Sequence, residues 1–520
     1  MATPKLLPVG IPTFRDIING GYLYVDKTPL IYELIRNPKG IYFLARPRRF
    51  GKSMLVSTLL EIFTGNRELF RDLWLYDSPY GWEQHPVIHL DFNYYSARSV
   101  TELETSLKYF LQKTAAAYDI TLTDTLYYIQ FGELIRGLAE KYQKQVVVLI
   151  DEYDRPLIDC MTNLEEAKRV RNFLKGFYRV LKSSDAQLRF IFLTGISKFS
   201  KVGIFSDLNN LQDLSMDDRF AALPGITQTE VETAFHPYLA SFAQKKGIAV
   251  VELIEEIRFW YNGFRFTKAP ITLYNPYSLV CLLEAQDFRN YWFESGTPTF
   301  LVNLIKEQQY ELADLKTREV GELAFSTYEI DNLAILPLLY QTGYLTIKNY
   351  NEQKRLFELY YPNREVEDAF LAYLLDSFSQ LDLGVSEGYL WQLIEALQAN
   401  DLTSFFEILT VFFARIPYTL QVKREKYYQT IFYLIFTLIG LRVQAEVTTN
   451  RGRIDAVIEV KDAIYLFEFK LNGSAESALA QIKSNAYYEQ YQRAGKPLHL
   501  VGANFSTRKR GISEWKSEPA

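Results

Sequence analysis

The chain has 520 residues, 48% hydrophobic and 23% charged, with a formal net charge of -5. That composition excludes disorder, predicts about three domains with their own cores, and carries too little net charge to name a partner. Two cysteines, Cys160 and Cys281, lie far apart and in no CxxC pattern, which argues against a zinc site or a disulfide framework and fits a reducing cytoplasm.

The start, MATPKLLPVGIPTF, is not a charged segment followed by an apolar signal core. Apolar stretches such as Thr430–Leu441 are shorter than the roughly 20 residues a bilayer span needs. A soluble, cytoplasmic protein with no membrane partner is expected. Tyr42–Ala45 reads as a strand that stops at Arg46. After Gly51-Lys52-Ser53 the apolar residues Met54, Leu55, Leu59, Leu60 and Phe63 recur at helical spacing. Val87–Phe92 reads as a second strand. Gln145–Ile150 is a continuous β-branched run, the pattern of a strand buried on both faces, and Leu188–Leu193 is another. Helical stretches, including 102–117 and 164–182, separate them. The alternation predicts an α/β fold with a parallel sheet across residues 1–225.

Residues 226–330 are mostly helical by pattern. Asn332–Tyr340 reads as a helix closed by Gly343, followed by strands at Tyr344–Ile347 and Arg355–Tyr361 and a helix from Arg364. That order is compatible with a winged-helix-like segment within a helical region at 331–420. From 421 a helix at 424–439, a β-rich stretch at 441–470, a helix at 475–494 and a strand at Leu498–Ala503 make a last α/β domain, 421–520. This segment holds 15 Lys or Arg against 10 Asp or Glu, so the rest of the chain is acidic. The excess suits a polyanion; a chance surplus of surface lysine explains it equally well.

Two motif sets carry chemistry. The phosphate loop GxxxxGK[ST] points backbone N–H groups and a helix N-terminus at phosphates; its Lys neutralises charge and its hydroxyl ligates magnesium. Arg46–Ser53 reads RPRRFGKS, with Arg46 where the first glycine belongs. Pro47, Arg48, Arg49, Phe50, Gly51, Lys52 and Ser53 complete the candidate ATP-binding turn, with Lys52 read as solvent-facing. Val146–Glu152 (VVVLIDE) supplies the acids: Asp151 with Ser53 for magnesium, Glu152 to orient the attacking water, on a strand expected to neighbour the first. The alternatives are a basic surface turn and a strand ending in an acidic turn. Lys198 and Lys201 are further candidate cations beside Arg46, Arg48 and Arg49.

The second set is GRIDAVIEVKDAIYLFEFK at 452–470. Glu468 and Lys470 are two apart on one strand and therefore share a face. A hairpin of this length brings Asp455 beside Glu468, where the two carboxylates can hold magnesium and Lys470 can polarise water. Glu425, Gln481 and Tyr487 are candidate supporting residues. A solvated strand face is the alternative from spacing alone.

Together these motifs resemble the bacterial AAA-ATPase-like proteins that carry a PD-(D/E)xK nuclease-superfamily domain at the C-terminus. The resemblance rests on Tyr22–Thr28 (YLYVDKT), RPRRFGKS, VVVLIDEYD, LTGIS at 193–197, Trp260–Phe266 (WYNGFRF), Tyr274-Asn275-Pro276-Tyr277-Ser278, GRID, FEFK and Gln481-Ile482. Arg46 in place of glycine is then the family form. The resemblance implies a P-loop ATPase core at 1–225, a helical lid at 226–330, a winged-helix-like segment, and a restriction-endonuclease-like tail. It implies ATP and Mg²⁺ as cofactors, nucleic acid as a partner of the tail, and a homo-oligomer as one assembly. Thr194 is the implied sensor of the terminal phosphate and Arg265 the implied lid arginine; Asp26 and Lys27 either fold against the nucleotide or serve a turn. The expected function is a nucleotide-gated, magnesium-dependent nuclease. The alternative is an ATP-dependent switch whose tail binds nucleic acid or protein without cutting it.

Overall fold

The computed structural model describes residues 4–95, 98–198, 205, 208, 210–293, 299–308, 312, 318–325, 334–381, 384–416, 425–443, 447–449, 454–484, 488–509 and 511–520. Five strands, β1 (Gly40–Ala45), β2 (Val87–Asp91), β3 (Val146–Asp151), β4 (Leu188–Gly195) and β5 (Gln212–Asp213), form one sheet in the order β2-β3-β4-β1-β5. Every pairing is parallel. β3 is buried along its whole length because helices cover both faces. Its side chains alternate between two cores. Val146, Val148 and Ile150 pack with the helices Val100–Ala117, Tyr127–Tyr142 and Leu164–Ser183, while Val147 and Leu149 pack with Leu55, Leu59 and Ile62 of the helix Lys52–Phe63. Each such aliphatic contributes roughly 1.5–3 kcal/mol when removed from water.

The chain divides into two compact units, Met1–Leu301 with Thr317–Val366, and Val302–Lys316 with Glu367–Ala520. Four segments were expected. The difference has a physical cause: residues after 225 pack into the phosphate turn. Phe264 and Phe266 meet Phe50 edge-on at ring-centroid distances of 4.8 and 5.2 Å. The helices Gln228–Ala234, His236–Lys246, Val250–Tyr261 and Pro276–Ala285 surround a short antiparallel sheet of β6 (Ile226–Thr227), β7 (Asn262–Phe264) and β8 (Leu273–Tyr274). The helix Ile335–Thr342 ends at Gly343, whose φ of 91° admits glycine without strain. The strand pair that follows it was anticipated, but a third strand was not. β9 (Arg318–Gly321), β10 (Thr346–Asn351) and β11 (Leu356–Tyr360) form a sheet in the order β10-β11-β9, and the helix Arg364–Ser379 follows. Asn332, at the start of the expected helix, lies outside the described residues.

In the second unit β12 (Val447–Thr449), β13 (Ile454–Glu459), β14 (Ile464–Leu471), β15 (Leu498–Ser506) and β16 (Gly511–Pro519) form a sheet in that order. Only β14 and β15 pair in parallel, joined through the helix Ala475–Ser484. Ile464 and Leu466 pack under that helix against Leu479 and Ile482. Phe467 and Phe469 pack at tilted angles against Phe436 and Phe432 of the helix Glu425–Val443. β16 was not anticipated, because it is largely exposed and polar in the manner of an edge strand. Cys160 and Cys281 are both buried, and neither is in a disulfide. Among the described residues no helix is long and apolar enough to cross a membrane.

Candidate functional site

The phosphate turn leaves β1 and enters the helix Lys52–Phe63 through Gly51, which sits at φ 86° and gives that helix no side-chain cap. The first amides of the helix thus receive no bond from a capping side chain, and such a helix N-terminus attracts an anion. Arg48 through Ser53 line a cavity of about 520 Å³, together with Asn93, Glu152 and Arg155. Its lining also includes the apolar side chains of Ile11, Pro12, Leu23, Phe235 and Val280. One chamber thus offers amides, cations and apolar wall, which suits a phosphate tail joined to a flat base.

Lys52 is not the solvent-facing charge that was expected: it is only 4% exposed. Its Nζ donates to the carbonyls of Arg46 and Pro47, each at 3.2 Å, and lies 3.2 Å from Glu152 Oε1. Glu152 sits at φ 53°, a left-handed conformation that persists in a bulky residue when its surroundings impose it. Asp151 ends β3, buried, and shares a hydrogen bond with Ser53. Burial first, then the neighbouring Glu152, pushes its carboxyl up to about 7, against the pull of Ser53 and Lys52. Asp91 stands opposite Asp151 in the β2–β3 register and adds to the repulsion. A carboxyl driven toward neutrality beside a hydroxyl is only partly compensated by Lys52, and a divalent cation fits that need. Asp91, Asn93 and Arg155 were not anticipated; Arg155, three residues after Glu152 in IDEYDRP, was within reach of the same motif.

Several expected roles are revised. The acid strand is not the neighbour of the phosphate strand, since β4 lies between them. That placement puts Thr194, at the end of β4, between the two, with a buried Oγ1 that has no hydrogen-bond partner among the described residues. Arg46 is 1% exposed and does not line the cavity: it donates to the carbonyls of Ala45 and Ser215 and its guanidinium lies 4.4 Å over the Phe266 ring. Arg46 therefore braces the turn from behind. Pro47 is buried as well. Arg265 does not reach forward as a lid arginine, because its guanidinium is spent on the carbonyls of Thr267, Lys268, Ala269 and Lys348. The alternation explains it: Phe264 and Phe266 face the phosphate turn, so Arg265 faces away. Lys198 is buried and paired with Asp213 at 2.9 Å, and Lys201 lies outside the described residues. Asp26 serves a turn, accepting from the amides of Thr28 and Trp74. Lys27 lines the cavity but is paired with Glu230 at 2.6 Å.

In the second unit β13 and β14 pair Asp455 with Glu468 in register. Glu468 is 1% exposed and one of its carboxylate oxygens has no hydrogen-bond partner among the described residues. Its other oxygen accepts from Lys470 Nζ at 2.9 Å. Lys470 also donates to Gln481 Oε1 on the helix Ala475–Ser484. Gly502, in register with Glu468, makes this possible: a Cβ there would fall 2.4 Å from the carbonyl of Ala475. The helix can therefore lie close on the sheet and deliver Gln481. A buried carboxylate with one oxygen unengaged suits a divalent cation. The side chains of Asp455 and Glu425, and Tyr487 altogether, lie outside the description.

Residues 8–205 match the family model described as "Predicted AAA-ATPase", and residues 423–515 match that of the "PD-(D/E)XK nuclease superfamily". A protein of Azotobacter chroococcum mcd 1, the "Uncharacterized protein in vnfD 5'region", is 39% identical over 520 residues, covering 98% of each chain. The chain therefore belongs to the AAA-ATPase-like proteins that carry a PD-(D/E)XK nuclease-superfamily domain in their C-terminal part.

Proposed function

We propose that this chain binds ATP with magnesium and hydrolyses it, and that its C-terminal domain cleaves DNA or RNA in a magnesium-dependent reaction gated by the nucleotide. The observation that carries the first half is Lys52, held between the loop carbonyls and Glu152 beside the Ser53–Asp151 pair, in the lining of the cavity. Lys52 and the amides of the turn would bind the β and γ oxygens. Ser53 and Asp151 would hold magnesium, which when bound offsets phosphate charge and orients the terminal group. Glu152, released from Lys52, would hold the attacking water and accept its proton. Thr194 would report on the terminal phosphate.

In the second unit Asp455 and Glu468 would hold the cation, and Lys470 would orient the attacking water. Gln481 supports this reading because it fixes the Lys470 ammonium beside Glu468. The test is purified full-length protein incubated with plasmid, linear and single-stranded substrates, with and without ATP and magnesium. Cleavage that needs magnesium, follows ATP and is lost in Lys470→Ala supports the proposal. Intact substrate bound with ATP-dependent affinity would instead assign the chain as a molecular switch.

A further inference from the structure

Two motifs in the chain, WYNGFRF and YNPYS, have no part in the chemistry above. Their neighbourhood shows what they touch. The carbonyl of Arg48, in the middle of the phosphate turn, accepts two hydrogen bonds from residues more than 200 positions away: Asn275 Nδ2 at 3.3 Å and Trp292 Nε1 at 3.1 Å. Both donors are buried, at 0% and 5% exposure. Glu365, also buried, ties them together by accepting from the Trp292 amide at 2.7 Å and from Ser278 Oγ at 3.1 Å. Asn275 caps the helix that holds Ser278, accepting from the amides of Tyr277 and Ser278.

A planar trans peptide sets the consequence. Its C=O and N–H point in opposite directions, and the Arg48–Arg49 bond is trans. Donors that pull the Arg48 oxygen to one side therefore aim the Arg49 N–H to the other. Arg49 also sits at φ 65°, a left-handed conformation that a non-glycine residue keeps only when its surroundings impose it. A turn with Arg46 in place of the first glycine cannot obtain this shape from glycine freedom. We infer that Asn275 and Trp292 are positioning residues that clamp the Arg48 carbonyl and so hold the Arg49 amide toward the phosphates, making the turn's affinity for a nucleotide depend on the lid residues that follow it. This deepens the proposed ATPase reading and rests on it.

The test uses two substitutions in the full chain. Asn275→Ser retains a neutral oxygen that caps the helix as well as asparagine does but is too short to reach Arg48. Trp292→Phe keeps the ring that packs edge-on against Tyr344 and removes the N–H. Each should fold with an unchanged far-UV spectrum, and each should weaken ATP binding by ~3–10-fold, the worth of one neutral hydrogen bond, with a larger loss in the double variant. Adding ATP to wild type should shift indole emission, and that shift should shrink in Trp292→Phe and in Asn275→Ser, whose indole is intact. A purely structural role would leave the second of these unaltered. ATP affinities within about two-fold of wild type, with the emission shift retained in Asn275→Ser, overturn the inference and leave the ATPase reading standing. Failure of wild type itself to bind ATP overturns both.

Discussion

Lys52 Nζ lies 3.2 Å from Glu152 Oε1, so the cation proposed to bind phosphate and the carboxylate proposed to orient water neutralise each other across the turn. Both are largely buried, with side chains 3% and 13% exposed. Removing one partner therefore does more than delete a ligand contact. Lys52→Ala should abolish measurable ATP binding, a loss of ~10²-fold or more for a charge-assisted phosphate contact. It should also lower stability by about 1–3 kcal/mol, because Glu152 and the Arg46 and Pro47 carbonyls lose their donor. Calorimetric titration and a thermal melt check the two effects. Unaltered melting would mean that the ion pair does not hold the free turn together.

Glu152→Gln separates binding from turnover. The amide leaves Lys52 without its anionic partner and so without a competitor for phosphate. ATP affinity should stay equal or rise, while turnover falls by about 10²–10⁴-fold, as for loss of a general base. Single-turnover hydrolysis beside equilibrium binding makes the comparison. Brisk hydrolysis by this variant removes Glu152 from the role.

Two buried acids set a pH dependence. Burial, with Glu152 close by, raises Asp151 to about 7 and Asp154 to about 6, against 3.8 for the free side chain. Asp154 accepts from Ile196 N, Ser197 N and Ser197 Oγ and ties the exits of β3 and β4 together. Between about 4 and 7 the folded chain keeps protons that the unfolded chain has shed. Stability from these groups is then fully present below about 4 and is lost as pH rises through 6 to 7. Nucleotide-free protein should melt higher at pH 5.5 than at pH 8, with a smaller difference in Asp151→Asn. Since a metal ligand must be deprotonated, binding of magnesium and ATP near pH 7 should release a proton. The apparent heat should then vary with the ionisation enthalpy of the buffer.

Arg265→Ala tests a role that its position in WYNGFRF suggested and its side chain contradicts. The guanidinium holds four carbonyls, three of its own loop and that of Lys348 in β10. The variant should lose about 1–3 kcal/mol of stability and bind ATP within about three-fold of wild type. A large loss of turnover at unchanged stability would restore Arg265 to the nucleotide site.

Local signals were legible and long-range ones were not. RPRRFGKS and VVVLIDE are contiguous, and each needs only its own strand and turn to be recognised. The same holds for the helix closed by Gly343. The insertion of β4 between β1 and β3 depends on a long-range pairing that sets Gly40 opposite Phe190, which periodicity does not encode. The burial of Arg46 and Lys52 was hidden for the same reason, because a charged type reads as exposed until its distant partners are known. Phe266 lies 220 positions beyond Arg46 yet covers its guanidinium. β16 escaped because an exposed edge strand lacks an apolar alternation.

The C-terminal site makes the last prediction, and it turns on Glu468. This carboxylate is 1% exposed, and among the described residues Lys470 pairs with it at 2.9 Å. Lys470→Ala removes that pairing from a buried anion, so local stability should fall by about 1–3 kcal/mol. Adding magnesium should recover part of that loss, since a cation replaces the ammonium. Glu468→Gln should behave in the opposite way: stability is nearly kept, because the amide is neutral, and the magnesium response disappears. Melting of each variant with and without magnesium reads both signs without any cleavage assay. If magnesium leaves Lys470→Ala as unstable as before, the pocket around Glu468 holds no metal. The Glu468–Lys470 pair is then a buried ion pair that serves the fold alone.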